Sequence, residues 1–203
     1  QTLTLSGTGT GASAFFGNDK AVTTGTLALG DGTNGGLASN YTLAGGTNLA
    51  DITAKSVTLD GTRAYNASAD VANSIFNIVG LVGTQTLVLS GTGTVVSANV
   101  GNDKAVTLGT LAIADGTNGG LAANYTLTQA GSVADITTKV ISIDGTRIYD
   151  GTANVSNSIF TLSGMIGTQT LTLSGTGTVA SANVGNDKAV TTGTLALGDG
   201  TNG

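Results

Sequence analysis

One decapeptide pattern occurs three times at a constant spacing of 84 residues, and this spacing constrains the chain more tightly than any other feature. QTLTLSGTGT runs from Gln1 to Thr10 and returns unchanged from Gln169 to Thr178, while QTLVLSGTGT occupies Gln85 to Thr94. The same interval separates GNDKAV at Gly17, Gly101 and Gly185, DGTNG at Asp31, Asp115 and Asp199, and DGTR at Asp60 and Asp144. No insertion breaks the register, and Lys20–Gly35 is identical to Lys188–Gly203, which points to recent duplication. Repeats that form single coils of a solenoid are commonly about 20–45 residues long. A period of 84 is instead near the size of a small β-sandwich domain, about 100 residues. The spacing therefore predicts a string of whole domains. The 203 residues hold two periods and part of a third, and the first is Gln1 rather than Met; the expectation is a segment cut from a longer array.

Within each period the residues favour strands and tight turns. The twelve acidic residues are all Asp, there is no Glu and no Pro, and Lys and Arg together number seven, so charged helix formers are scarce. Thr, Ser, Gly, Asn and Val dominate instead. Val57-Thr58-Leu59 and Ile141-Ser142-Ile143 alternate and then meet Asp-Gly, a turn signal. Leu87 and Leu89 share one face before Ser-Gly, and Ala105–Ile113 alternates imperfectly around Gly109, where a bulge is expected. Tyr125-Thr126-Leu127, Asp135-Ile136-Thr137 and the Phe of SIF at Phe76 and Phe160 mark further strands. Six or seven strands per period predict an antiparallel sandwich of Ig-like topology, with a barrel as the less favoured closure. Tyr41, Tyr65, Tyr125 and Tyr149 form two pairs 84 residues apart. Each is read as burying its ring and handing its hydroxyl to a nearby carbonyl.

Several function classes are disfavoured. With no Cys there is no disulfide framework, thiolate metal site or cysteine nucleophile. With no His as well, the usual base and nucleophile pairs are missing, and a Ser-Lys pair would need the two side chains brought together. Seven scattered cations against twelve carboxylates do not suit nucleic acid. No apolar run approaches the roughly 20 residues of a membrane helix. Asp19, Asp31, Asp103 and Asp115 offer hard oxygen ligands in loops and are the calcium candidates. Their spacing fits no known calcium loop, and Asx turns explain them better. No cofactor is expected, with calcium kept as the one candidate. A Lys–Asn isopeptide at the equivalents of Lys104 or Lys139 is weighed against solvated lysines, which are preferred.

Tyr149-Asp150-Gly151, following Ile141-Ser142-Ile143-Asp144-Gly145-Thr146-Arg147-Ile148, resembles the YDG-type repeat of large bacterial surface haemagglutinin-like adhesins, related to other bacterial Ig-like repeats. Asn99–Val106 and Ala122–Leu127, with Asn124 and Tyr125, are similar to that family's downstream segments. On this phase 1–54 is the C-terminal part of one repeat, 55–138 a complete repeat, and 139–203 the N-terminal part of the next. The first copy reads Tyr65-Asn66-Ala67, so YDG is a structural turn rather than a reactive site. The resemblance implies secretion, display on a bacterial surface, and no catalytic residues. The expected function is a non-enzymatic stalk or filament segment whose partners are neighbouring repeats and like chains. The alternative is an adhesin module recognising a glycan or protein through its loops. Gly11–Phe16 against Val95–Val100, and Ala44–Leu49 against Thr128–Val133, are where the copies differ and where recognition would lie.

Overall fold

The computed structural model describes residues 1–45 and 48–202, and among these the chain is all-β. Its helical turns are 3-10 segments of three residues each. Residues 55–138 contain nine strands: β1 (Lys55–Ala64), β2 (Asp70–Ala72), β3 (Phe76–Val79), β4 (Leu87–Ser90), β5 (Thr92–Val95), β6 (Gly101–Thr107), β7 (Ala112–Asp115), β8 (Tyr125–Leu127) and β9 (Val133–Thr137). The largest sheet orders them β8-β1-β9-β6-β5-β2, with β3 also paired to β1, and β7 pairs with β4 in a second sheet. The arrangement is sandwich-like. Nine strands exceed the six or seven expected because β2 and β5 were not foreseen and the run Ala105–Ile113 is divided between β6 and β7.

Two compact units divide the chain. The first comprises Gln1–Asp60, Ala72–Gly93 and Ala105–Val133, and the second Gly61–Val71, Thr94–Lys104 and Ala134–Gly203. The division passes through strands: β1 gives Lys55–Asp60 to the first unit and Gly61–Ala64 to the second.

In the first unit β1 lies beside β8 in parallel, with Tyr125 opposite Lys55, Thr126 opposite Ser56 and Leu127 opposite Val57. This pair departs from the expected antiparallel pattern. A parallel pair needs a crossover of a dozen residues or more, and most of the repeat separates β1 from β8. Beyond it Thr128 donates its backbone N–H to Val57 O at 2.9 Å. Val57 and Leu59, alternate residues of β1, are buried with Val106, Leu111 and Tyr125. Full burial of such a side chain is worth about 1.5–3 kcal/mol. Ser132 is buried among them and satisfied: its Oγ accepts from Leu59 N at 3.0 Å and donates to Thr128 O at 2.7 Å. In the second unit Val71, Val95, Ala134, Ile136 and Val155 are buried, and Tyr65 N donates to Thr137 O at 2.8 Å.

Two local expectations are corrected. Asp60-Gly61 is no turn but lies inside β1. Gly109 is no bulge but a turn glycine between β6 and β7, at φ +56°, where an L side chain is strained. A Cβ there would also stand 2.7 Å from Thr92 O.

Strand lengths differ between the copies. β1 has ten residues, and its counterpart after Lys139 spans Ser142–Gly145. Seven-residue β6 corresponds to Gly17–Thr23, which pairs with Leu49–Ile52, and to Val190–Thr191 in the last copy.

Candidate functional site

The Tyr-Asp-Gly segment is built by a short polar chain. Asp150 Oδ1 accepts from Thr152 N at 2.9 Å and from the Thr152 hydroxyl at 3.0 Å, an Asx turn. The Arg147 guanidinium clamps it, pairing with the Asp150 carboxylate and donating to Thr152 O. Arg147, then the N–H and hydroxyl of Thr152, draw the Asp150 carboxyl from its ordinary 3.8 down to about 2. Gly151 sits at φ +79°. The preceding copy keeps the design with different residues. Asn66 Oδ1 accepts from Ser68 N at 3.0 Å, and Arg63 donates to Asn66 Oδ1 and to Ser68 O. Asn replaces Asp because the turn needs an acceptor oxygen, not a charge. Ala67 takes the Gly position at φ +62°, a region costing an L-residue about 1–2 kcal/mol. Tyr149 is exposed and Asp150 half-exposed, so nothing encloses a reactive centre there.

The Gly-Asn-Asp-Lys segments, which open strand Gly17–Thr23 and β6 in the first two copies, are equally self-contained. Lys20, Lys104 and Lys188 fold back so that Nζ donates to Ser13, Ser97 and Ser181 Oγ at 3.1, 3.0 and 3.1 Å. This is the Ser-Lys juxtaposition that the sequence alone could not supply. In the third copy Nζ also donates to Ser181 O and Asn183 O. These partners also differ from the Asn carboxamide an isopeptide would require. Asp19 and Asp103 stand at φ +51° and +50°, and their N–H groups donate to Asp51 and Asp135 Oδ1 at 2.9 and 2.8 Å. Asp31 and Asp115 each accept, at 2.7 Å, the N–H of the first residue of the 3-10 turns at Ala38–Asn40 and Ala122–Asn124. Among the described residues no three His, Cys, Asp or Glu side chains converge. The four calcium candidates lie in strands rather than the expected loops: Asp19 in Gly17–Thr23, Asp31 in Ala28–Asp31, Asp103 in β6 and Asp115 in β7.

Three tyrosine hydroxyls meet a Gln side chain rather than the expected backbone carbonyl, and the rings of Tyr41 and Tyr149 are exposed rather than buried. Tyr125 is buried, donates to Gln85 Oε1 and accepts from Val82 N at 3.1 Å. Tyr41 donates to Gln1 Oε1 at 2.7 Å, and Tyr65 accepts from Gln169 Nε2 at 2.7 Å. The Gln of each QTL segment thus anchors a tyrosine, at a separation of 40 residues for Gln1 and Gln85 but to the earlier Tyr65 for Gln169. Its signal in the sequence was the 40-residue separation Gln1–Tyr41, repeated at Gln85–Tyr125. Asn124 Oδ1 accepts from Phe16 N at 2.8 Å, within the first unit.

One groove of mixed lining repeats with the period. It is shallow, about 360 Å³, between Phe76, Ile78, Leu87 and Leu89 and the polar Asn73 and Asn77, with a counterpart of about 390 Å³ between Phe160, Leu162, Leu171 and Leu173 and the polar Asn157 and Thr161. Of the two divergent stretches, Gly11–Phe16 exposes Phe15 and Phe16. Ala44–Leu49 includes Gly46 and Thr47, which lie outside the described residues.

The model of the YDG domain family matches residues 47–133 and 134–203, two tandem segments that cover most of the chain. No curated protein and no solved structure matches.

Replacing Ala67 by Gly is expected to stabilise the chain by roughly 1 kcal/mol, raising Tm by about 2–4 °C. An unchanged or lower Tm would contradict a strained turn. Because the folded carboxyl of Asp150 titrates near 2, below its unfolded value, its contribution is present above about pH 4 and fades as pH falls toward 2. Asp150→Asn, which recreates the turn of the other copy, should keep the fold at pH 7 and flatten that acid limb in a pH-dependent melting series.

Proposed function

The chain belongs to the YDG domain family, and we propose that it is a non-enzymatic structural segment, a stalk or filament piece of a large secreted or surface-displayed bacterial adhesin or extracellular fibre. One observation carries this reading: the recurrent polar motifs direct their side chains to their own turns. Arg147, Asp150, Lys104, Asp115 and Gln85 all bond to neighbours within the chain. Groups positioned this way set shape and leave little for a substrate. Near-invariant copies also make every junction alike, so length is added without a new interface. No calcium or other cofactor is invoked, and the partners are adjoining repeats and like chains.

A second reading, a ligand-binding module, draws on Phe15 and Phe16. They stand exposed in the stretch where the copies differ, whereas the corresponding residues elsewhere are Asn99 and Val100.

The two readings separate experimentally. Concatemers of increasing repeat number, imaged by electron microscopy, should lengthen in proportion to repeat number at constant width and remain inert on a glycan array. Selective glycan binding lost on Phe15→Asn/Phe16→Val would favour the module, and particles growing equally in all directions would contradict the stalk.

A further inference from the structure

Two strands of the complete repeat border one groove, and each keeps a free edge. Among the described residues β3 pairs only with β1, and β4 only with β7. The groove between them is shallow, about 360 Å³, and its apolar residues Phe76, Ile78, Leu87 and Leu89 are only half-buried. The register shows what β4 presents to it. Leu87 lies opposite Asp115 and Leu89 opposite Ile113. In an antiparallel pair, alternate residues turn their N–H and C=O away from the partner strand. Leu89 is one of these, since Asn73 Nδ2 donates to Leu89 O at 2.9 Å and Asn73 N to Gly91 O at 3.2 Å. Leu87, two residues away, faces the same side. Asn73 thus holds one end of the edge as a strand would. Among the described residues the N–H groups of Leu87 and Leu89 and the C=O of Leu87 have no partner on that side. The arrangement recurs in the second unit. Phe160–Ser163 and Leu171–Ser174 are each paired on one side, and a groove of about 390 Å³ lies between them. There Asn157 Nδ2 donates to Leu173 O at 2.8 Å and Asn157 N to Gly175 O at 3.1 Å.

We propose that each of these grooves accepts a strand from a partner protein: an extended, uncharged segment with apolar side chains at alternate positions lies in the groove and pairs with the free edge of β4 or its counterpart. The backbone defines the occupant first. Open donors and acceptors on every second residue, about 6.8 Å apart, match an extended polypeptide. The side chains define it next. Phe76 and Ile78 on one wall, and Leu87 and Leu89 on the other, share that period of two, so alternate apolar residues of the guest cover them. No charged residue lines either groove, in a chain that carries twelve Asp, so a charged guest residue would lose water and gain no counter-ion. The groove is too shallow to enclose a small molecule, whereas a strand can be laid along it. This chain's own uncharged alternating segments, such as Leu87–Ser90 and Leu171–Ser174, are already built into paired strands. The guest is therefore a segment of a different protein. The proposal is independent of the stalk reading, which is decided by how length grows with repeat number.

The test uses the full chain and the peptide Thr-Leu-Thr-Val-Thr-Leu-Thr, amidated and carrying an N-terminal fluorophore. Main-chain pairing tolerates varied side chains, so one uncharged alternating sequence serves as the probe. Titration followed by fluorescence anisotropy should show saturable binding at two sites per chain. Amide exchange at Leu87, Leu89, Leu171 and Leu173 should slow by about tenfold or more when the peptide is bound. A peptide with Pro in place of the central Val lacks an N–H and the freedom to extend, and it should lose both binding and protection. Asn77→Arg with Thr161→Arg puts a cation into each groove at an exposed position, and should abolish binding with Tm unchanged. No saturable binding at millimolar peptide, or equal binding of the Pro peptide, would overturn the proposal. So would protection of Leu87 and Leu89 that rises with chain concentration in the absence of peptide, because a second copy would then be the occupant.

Discussion

Everything in this molecule depends on a strand having a neighbour on each side. β1 and its counterpart after Lys139 have closely similar sequences, yet one extends over ten residues and the other over four. β8 and the segment after it take up the backbone of β1, and Val57 and Leu59 on it are buried. A strand of Thr, Ser, Val and Ile has little intrinsic reason to be straight. Its conformation is set by the ladder and by the apolar face it buries. With eight aromatics in the whole chain, the core is made from aliphatic residues and one Tyr, so closure of every face matters.

The conserved-looking polar motifs take their meaning from this. Turns that return the chain to the sheet must repeat accurately if every copy is to close in the same register. The Arg147–Asp150 clamp, the Lys104–Ser97 loop lock and the Asp115 cap each fix one return. Arg63 with Asn66 reproduces the clamp without a carboxylate, which separates the geometric requirement from the charge. The threonines of QTL and DGT pair hydroxyl to hydroxyl in all three copies, Thr2 with Thr33, Thr86 with Thr117 and Thr170 with Thr201. Such contacts tie together the ends of antiparallel strands that are separated in sequence by other strands.

Much of the fold was legible in the sequence. The 84-residue period, the all-β class and the strands at Val57–Leu59, Leu87–Leu89 and Tyr125–Leu127 follow from alternation and turn residues. What escaped did so for physical reasons. Asp60-Gly61 reads as a turn by local propensity, but tertiary pairing draws it into β1. The parallel partnership of β1 and β8 leaves no local trace, since residues so far apart meet only through the fold. The Gln–Tyr anchor was visible only as a repeated separation, and the Ser–Lys contact depends on a lysine curling back over its own loop. Asp19, Asp31, Asp103 and Asp115 were read as loop carboxylates with two alternatives. Two of them are engaged in capping, and the other two bring their backbone, not their side chains, to a partner carboxylate.

The central claim is that the pairing of β1 with β8 orders the repeat, and hydrogen exchange tests it most directly. Amides of 57–59, 125–127 and 134–136 should be the slowest to exchange, and Val57→Ala should speed exchange at 125–127 as well as in β1. Exchange at 125–127 that is unchanged by this substitution would contradict the account.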